Sequence, residues 1–244
     1  MRNSSEISRE NWCTRVGNTD ISIPMTSTVS APTGSLAEQA YARLRRLICT
    51  AELEPGSVIV ESELCEQLGL GRTPVREALR ALASEHLIDV YPRRGMFVAG
   101  VDPRDLRAIS EVRERLEPFA AALAAERRDD EDIATIDDVL TDLAAIEGDD
   151  LDEHRSALMD LDERIHKCVY RATHNAYLEQ NLDSYYTHAL RIWYLGLTNV
   201  THLQDAVLEH RELLEAIRDG DVERATTVMG KHIEGFEAEM RRAL

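Results

Sequence analysis

Four side chains in the C-terminal half of the chain are of the types that hold a divalent cation. Asp162 and His166 stand four residues apart in a predicted helix, so both project from one face, one turn apart. His210 and His232 fall in two later predicted helices, and a bundle can bring three helices to one interior point. One carboxylate with three imidazoles suits zinc, nickel or a similar ion. An Asp/His pair on a charged helix also arises by chance, and the spacing alone leaves both interpretations open.

A second set of residues, in the N-terminal half, has the chemistry of a phosphate or base contact. Arg76 and Arg80 share one face of a predicted helix, and an apolar stripe forms a different face. Thr73 and Pro74 suit the N-cap and the first helical position, and Arg72 stands beside free N–H groups that favour an anion. A guanidinium can grip a phosphate or read guanine. An isolated arginine pair can equally be a solvated surface.

The helices around these arginines favour nucleic-acid contact over simple solvation. Ser35 and Glu38 have the spacing of a capping box and open a first helix. A short second helix is predicted over Glu61–Leu68, and the arginine-bearing third helix runs to about Glu85. Two helices joined by a tight turn are the pattern of a helix-turn-helix.

A predicted β-hairpin follows the third helix. Two β-prone runs, Leu87–Tyr91 and Met96–Gly100, are joined by a basic turn. In that turn Gly95 allows the backbone to approach a sugar-phosphate ridge, and Arg94 suits a phosphate contact. Three helices and a hairpin predict a winged helix-turn-helix domain over residues 35–101.

The rest of the chain is predicted to be helical or disordered. Residues 102–244 are rich in Ala, Leu, Asp and Glu at helical spacing and predict an antiparallel bundle of about six helices. These helices are expected at roughly 103–128, 131–147, 150–173, 175–198, 201–219 and 221–243. Residues 1–34 lack an apolar period and predict a disordered tail, in which Met25 is an alternative start codon. The predicted fold class is therefore mainly α.

Charge is divided unevenly between the two predicted domains. The net charge is −17, which by itself argues against binding to nucleic acid. Residues 35–101 nevertheless carry eight arginines against nine acidic groups, whereas residues 102–244 carry 17 basic against 33 acidic groups. The acidity therefore belongs to the C-terminal part and leaves the N-terminal domain free to contact DNA.

Composition also predicts the compartment. No run of about 18 apolar residues occurs and the N-terminus lacks the apolar stretch of a signal peptide, so we expect a cytoplasmic protein without a membrane segment. The four cysteines have no CxxC spacing and are interpreted as reduced thiols.

The helix-turn-helix segment resembles the GntR family of bacterial regulators. The resemblance runs over residues 35–101 and is strongest in the segment Arg72-Thr73-Pro74-Val75-Arg76-Glu77-Ala78-Leu79. It implies that Arg72, Thr73 and Arg76 face the operator and that Gly95 lies at the tip of the wing. One departure is His86, which stands where the family usually has glycine.

The helical part resembles the FCD effector domain found in the FadR-like branch of that family. The resemblance rests on Asp-x-x-x-His, on a Glu-His-x-x-Leu-Leu-x-Ala-Ile segment over 209–217 and on a histidine in the last helix. It implies that Asp162, His166, His210 and His232 hold a divalent ion, zinc first, with nickel or manganese open. It also implies a small carboxylate effector, which Arg113 can meet bidentately unless it pairs with Glu117 at i+4.

Together the two resemblances imply a transcriptional regulator and not an enzyme. We expect a homodimer that represses transcription from a palindromic operator under control of the carboxylate, although the residues are equally compatible with activation. A metal-dependent hydrolytic enzyme and a purely structural metal site remain as alternatives. Against the enzyme, the sequence places no further carboxylate at a spacing that would make it a general base beside the metal ligands.

Overall fold

The computed structural model describes residues 34–147, 154–200 and 203–244. The predicted tail over 1–34, with the alternative start at Met25, lies outside this part of the chain except for Gly34. The described chain is mainly α-helical and carries one small antiparallel sheet, which confirms the predicted fold class.

Helices and short strands alternate in the N-terminal unit, which we call the head. Its elements are α1 (Leu36–Cys49), β1 (Val58–Ile59), α2 (Glu61–Leu68), α3 (Arg72–Ser84), β2 (Ile88–Tyr91) and β3 (Gly95–Val98). The predicted capping box is present, because the Ser35 hydroxyl accepts the Glu38 backbone N–H and the Glu38 carboxylate accepts that of Ser35. Buried aliphatic side chains from all three helices and the sheet form the core of the head.

The strand β1 is a feature that the sequence did not predict. It pairs antiparallel with β3, which lies between β1 and β2, and Val58 stands opposite Phe97. A strand of two residues is too short to show the alternation that identifies strands in a sequence. Its place in the sheet depends on the hairpin that it joins.

The predicted start of α3 was wrong by two residues. Gly71, in extended conformation, is the N-cap, so Arg72 opens the helix and Pro74 occupies its third position. Proline is tolerated there because the N–H groups of the first turn have no partner within the helix. The start of a helix with proline in its first turn is therefore poorly specified by the proline alone.

His86 ends α3 in a strained backbone conformation. Its φ is +61°, in the left-handed region that glycine adopts without cost, and Glu85 caps the helix before it. This conformation explains physically why glycine would suit the position. The chain turns at His86 from the helix into β2.

The C-terminal bundle is built from seven α-helices within the described residues. They are α4 (Asp105–Arg127), α5 (Asp130–Ala145), α6 (Arg155–Ala172), α7 (Ala176–Gly196), α8 (Leu203–Leu208), α9 (His210–Asp219) and α10 (Val222–Ala243). The predicted helix over 201–219 is divided at Glu209 into α8 and α9. At this break the Val207 carbonyl accepts a hydrogen bond from the ring of His210, which no periodicity of apolar residues could reveal.

A second core fills the bundle and also receives a residue of the head. Cys49, the last residue of α1, is buried among the side chains of the bundle core. The end of α1 therefore packs on the bundle. Of the helices in the described part of the chain, none is long and apolar enough to cross a membrane. The predicted boundary at residue 102 stays a prediction.

Candidate metal centre and nucleic-acid interface

The structure brings the four predicted metal ligands together inside the bundle. Asp162 and His166 lie on α6, His210 opens α9, and His232 lies in the middle of α10. All four are buried, and they offer ligand atoms within 4.8 Å of one another. The chain thus supplies one carboxylate and three imidazoles at one interior point.

Two of the imidazoles face each other through their Nε2 atoms, which are 3.3 Å apart. The Nδ1–H of His210 donates to the Val207 carbonyl at 3.1 Å, which leaves Nε2 with its lone pair. Nδ1 of His166 lies 2.9 Å from a carboxylate oxygen of Glu117 and 3.2 Å from the Tyr170 hydroxyl. With the His166 proton on Nδ1, the two Nε2 lone pairs face each other, an arrangement that suits a divalent cation between them.

The remaining two ligands complete the set. The Asp162 carboxylate lies 3.7 Å from Nε2 of His210 and 3.9 Å from Nε2 of His166, and it accepts a hydrogen bond from the Tyr186 hydroxyl at 2.6 Å. The ring centroids of His232 and His210 are 4.0 Å apart. Nδ1 of His232 is buried without a hydrogen-bond partner in the described chain. A buried nitrogen without a partner is costly unless something else binds it, so the donor set fits a metal ion.

Burial keeps His210 in the form that binds metal. Desolvation, together with the neighbouring rings of His232 and His166, holds the pKa of His210 well below its ordinary value. The imidazole of His210 is therefore neutral at physiological pH, and neutral imidazole is the form that binds metal.

Glu117 is the functional residue that the sequence analysis missed. Its carboxylate receives Nε of Arg113 at 2.5 Å as well as facing His166, and it is fully buried. Burial alone would raise the pKa of Glu117, but Arg113 and His166 outweigh burial and lower it to about 2. The sequence spacing placed no further carboxylate as a general base beside the ligands, and it did not indicate that Glu117 contacts His166. The signal was the i, i+4 spacing from Arg113, but its contact with His166 depends on how α4 packs on α6.

Arg113 lies deep in the same network. Its guanidinium pairs with Glu117 and, at 3.3 Å, with Glu237 of α10, and it stacks 4.8 Å from the centre of the Trp193 ring. The side chain is 1 % exposed. The pairing with Glu117 that the spacing allowed is therefore formed, and the role of Arg113 in holding an effector stays a prediction.

The candidate DNA-contacting residues of α3 share its solvent side. All four candidates on this helix are exposed: Arg72, Thr73, Arg76 and Arg80. The opposite side of α3 is buried in the core of the head and contains Val75, Ala78, Leu79 and Leu82. Nε of Arg76 lies 2.7 Å from the carboxylate of Glu61 in α2, with the Arg76 side chain more than half exposed. This pair points the guanidinium outward without burying it.

The turn between β2 and β3 forms the predicted wing tip. Gly95 has a φ of +100° and Arg93 a φ of +64°, so the turn uses left-handed backbone at two positions. The guanidinium of Arg94 lies 5.6 Å from the centre of the Tyr91 ring. Arg94 and Gly95 are both exposed, and a flat anionic surface could reach them together with α3.

Comparison with known protein families agrees with this architecture. Residues 36–98 match the bacterial regulatory proteins of the gntR family, and residues 108–235 match the FCD domain. The chain belongs to the GntR family of bacterial regulators and carries an FCD domain.

Two relatives of similar length are described as transcriptional regulators. A Streptomyces ambofaciens protein described as an uncharacterized HTH-type transcriptional regulator in an unstable DNA locus is 33 % identical over 83 % of this chain and 84 % of its own length. The galactonate operon transcriptional repressor of Escherichia coli strain K12 is 32 % identical over 76 % of this chain and 90 % of its own length.

Solved structures share the fold. Escherichia coli McbR/YncC superposes with a TM-score of 0.67 at 23 % identity, covering 86 % of this chain and 98 % of that one. A putative GntR regulator from Rhodococcus sp. RHA1 gives a TM-score of 0.60 at 19 % identity, over 86 % of this chain and the whole of the other. This protein is accordingly a DNA-binding transcriptional regulator of the GntR type.

Proposed function

We propose that this regulator is a repressor whose operator binding is controlled by a small carboxylate bound at a divalent metal ion. The observation that carries the proposal is the pair of facing Nε2 atoms of His166 and His210, 3.3 Å apart in a buried site. With the outer nitrogen of each ring protonated, both Nε2 lone pairs face the same point, and a cation there would satisfy both. Repression is favoured because relatives include named repressors.

The metal would be held by Asp162, His166, His210 and His232. Zinc suits this donor set best, and nickel or manganese would also accept it. An ion that takes five or six ligands keeps positions open, and a carboxylate effector is a suitable ligand for them. The ion would supply the charge that attracts such an anion into a bundle that is otherwise strongly acidic.

On the DNA side, we infer a homodimer that presents two α3 helices to a palindromic operator. Arg72, Thr73, Arg76 and Arg80 would enter the major groove, and the wing with Arg94 and Gly95 would contact the backbone. A symmetric dimer requires a symmetric site, with half-sites about one helical turn apart or a multiple of it.

A hydrolytic metalloenzyme is less well supported. A general base needs a free carboxylate beside the metal, and the carboxylate of Glu117 is already engaged by Arg113 and faces His166. Its pKa of about 2 also makes it a poor proton acceptor at neutral pH. Named relatives are regulators and not enzymes.

The proposal is tested by metal content and ligand binding in matched histidine variants. The purified protein should carry about one divalent ion per chain by elemental analysis, and His166→Ala, His210→Ala and His232→Ala should each lose it. His188→Ala is the control, because His188 is a half-buried histidine of the same bundle that belongs to neither group of side chains able to hold a metal ion.

A thermal-shift screen of small carboxylates then separates control from structure. Wild type should be stabilised by at least one carboxylate only when metal is present, and the metal-free variants should not respond. The variants should still bind the operator, because the head has its own core, but with an affinity that no longer responds to the carboxylate. Metal without any carboxylate response would indicate a structural site, and unchanged metal in all three variants would refute the ligand assignment.

A further inference from the structure

We propose that Arg45 is the positioning residue through which the metal centre sets the placement of the DNA-binding head. The inference rests on the proposed function, because it requires a metal at the cluster on α6, α9 and α10. Arg45 belongs to α1, the first helix of the head, yet its side chain is buried against the bundle and only 8 % exposed.

The guanidinium of Arg45 makes two short contacts with two different bundle helices. One terminal nitrogen lies 2.6 Å from the carboxylate of Glu163 on α6, and the other donates to the hydroxyl of Thr187 on α7, also at 2.6 Å. A buried guanidinium held in this way is sensitive to small displacements of its partners, because losing Glu163 leaves its charge uncompensated and losing Thr187 leaves a buried donor without its acceptor.

Each partner of Arg45 is next in sequence to a residue of the candidate metal centre or to a residue hydrogen-bonded to it. Glu163 directly follows the candidate ligand Asp162, and Thr187 directly follows Tyr186. The Tyr186 hydroxyl in turn donates to the Asp162 carboxylate. Two routes, one along α6 and one through the Tyr186 hydrogen bond to α7, thus run from a single ligand to a single guanidinium.

Metal binding is expected to act on this ligand. The Asp162 carboxylate is 3.7 to 3.9 Å from the facing imidazole nitrogens. With bonds of about 2.0–2.2 Å, two ligand atoms on one tetrahedral zinc ion lie about 3.3–3.6 Å apart. The two imidazole nitrogens already have this separation, so loading the site draws mainly the Asp162 carboxylate inward, by a few tenths of an ångström. A shift of Asp162 alters its bond to Tyr186 and the position of α6, and Arg45 receives both changes.

Arg46 provides a matched control on the same helix. It also forms an ion pair with α6, to Asp160 at 2.9 Å, but both side chains are substantially exposed. Exposed pairs contribute little and tolerate displacement. A general effect of weakening the contact between α1 and the bundle would appear in Arg46→Met as well as in Arg45→Met, whereas a specific relay would appear in Arg45→Met alone.

The experiment measures operator affinity of the full chain with zinc and after its removal by a chelator. For wild type we expect the two dissociation constants to differ by about 5- to 150-fold, the usual range of coupling between sites. Arg45→Met and Thr187→Val should keep metal content and operator binding but reduce this ratio to about twofold or less, while Arg46→Met keeps the wild-type ratio. Thr187→Val introduces no charge change, so it remains informative if Arg45→Met folds poorly.

Hydrogen exchange provides a readout independent of DNA. Zinc should alter amide exchange in α1 of wild type and of Arg46→Met, but not of Arg45→Met. A wild-type ratio near one overturns this inference but not the proposed function, in which the carboxylate, and not the metal alone, controls operator binding. A wild-type response that persists unchanged in Arg45→Met and Thr187→Val, or one lost equally in Arg46→Met, overturns the role of Arg45 alone.

Discussion

Glu117 illustrates at the scale of single residues how the candidate centre is held in position. It joins Arg113 to the outer nitrogen of His166, and the Tyr170 hydroxyl lies 3.2 Å from that same nitrogen. A carboxylate behind a ligating histidine fixes the ring orientation and the proton on the outer nitrogen. Glu117 therefore prepares Nε2 of His166 for the metal without touching it.

Glu117→Gln should weaken metal binding by roughly 10- to 100-fold, the usual effect of losing such an outer partner. The amide keeps the shape but loses the charge that orients His166. Competition with a chromophoric chelator measures the affinity, and Glu111→Gln is the control because Glu111 is an exposed acid of the same helix. Equal affinities in Glu117→Gln and wild type would show that Glu117 serves only the ion pair with Arg113.

Metal retention should fall as the pH is lowered. Each imidazole must be neutral to bind, so protons compete with the metal below the imidazole range. Because the pKa of His210 is held well below its ordinary value, this ligand stays neutral when an exposed histidine is already charged, and release should begin below the normal imidazole pKa of about 6.5. Dialysis at a series of pH values followed by elemental analysis measures the release. Metal retained unchanged at pH 4 would be incompatible with histidine ligation.

Two arginines should separate base reading from backbone contact. Arg76→Ala should weaken specific binding roughly 5- to 150-fold and relax the preference at one position of each half-site, as expected for a lost base contact. Arg94→Ala should weaken binding to specific and random duplex alike, because a wing contact is to the backbone. Binding selections from randomised operators measure both. A changed consensus in Arg94→Ala, or equal losses on both duplexes in Arg76→Ala, would reverse the assignments.

At the scale of elements, helix ends decide where the chemistry is presented. The end of α3 is closed by the left-handed backbone of His86, and the break between α8 and α9 occurs where the ring of His210 takes the Val207 carbonyl. The first feature sets the direction in which the chain enters the wing, and the second sets the orientation of the His210 ring, a candidate metal ligand. Apolar periodicity locates helices but carries little information on either end.

His86→Gly should stabilise the head. The left-handed conformation costs an ordinary residue about 1–2 kcal/mol relative to glycine, partly offset by the greater freedom of glycine in the unfolded chain, so we expect a gain of about 1 kcal/mol. Urea unfolding followed by circular dichroism measures the free energy of unfolding. Glu85→Gly, at a position with negative φ, should instead destabilise the head. A loss of stability in His86→Gly would mean that the imidazole makes a favourable contact that outweighs the strain.

At the scale of the whole molecule, the division of charge and the proposed dimer determine how DNA is approached. Residues 102–244 carry 33 acidic against 17 basic groups and would repel phosphate, whereas the head is close to neutral. Among the described residues, the exposed side of α3 and the wing are therefore the surfaces suited to face the duplex. In the proposed dimer two heads act together, which compensates for the weak electrostatic attraction of one nearly neutral domain for DNA.

Removing one half-site should therefore cost far more than a single base change. A dimer on a full palindrome gains the second head at a high effective concentration, so a duplex with one half-site should bind at least about 100-fold more weakly. Gel-shift titration at constant salt measures both affinities. A duplex of the same length in which one half-site is inverted is the control. Equal affinity for one and two half-sites would argue for a monomer on DNA.

Much of this protein could be determined from the sequence by itself. The helix-turn-helix, the hairpin and the helical bundle follow from local spacing, because capping residues and apolar periods act within a few residues of one another. Spacing alone left the four candidate ligands open, and the resemblance to the FCD domain selected them. The motif Arg72 to Leu79 indicated the family that the comparisons establish.

Only the tertiary structure decided how these parts meet. The strand β1, the contact of Glu117 with His166 and the burial of Arg45 between α6 and α7 each join residues far apart in the chain. Nothing in the local spacing of Arg45 distinguishes it from Arg46, since both are arginines of one amphipathic helix. Their difference arises from which of them turns toward the bundle when α1 packs, and that is a property of the packed molecule.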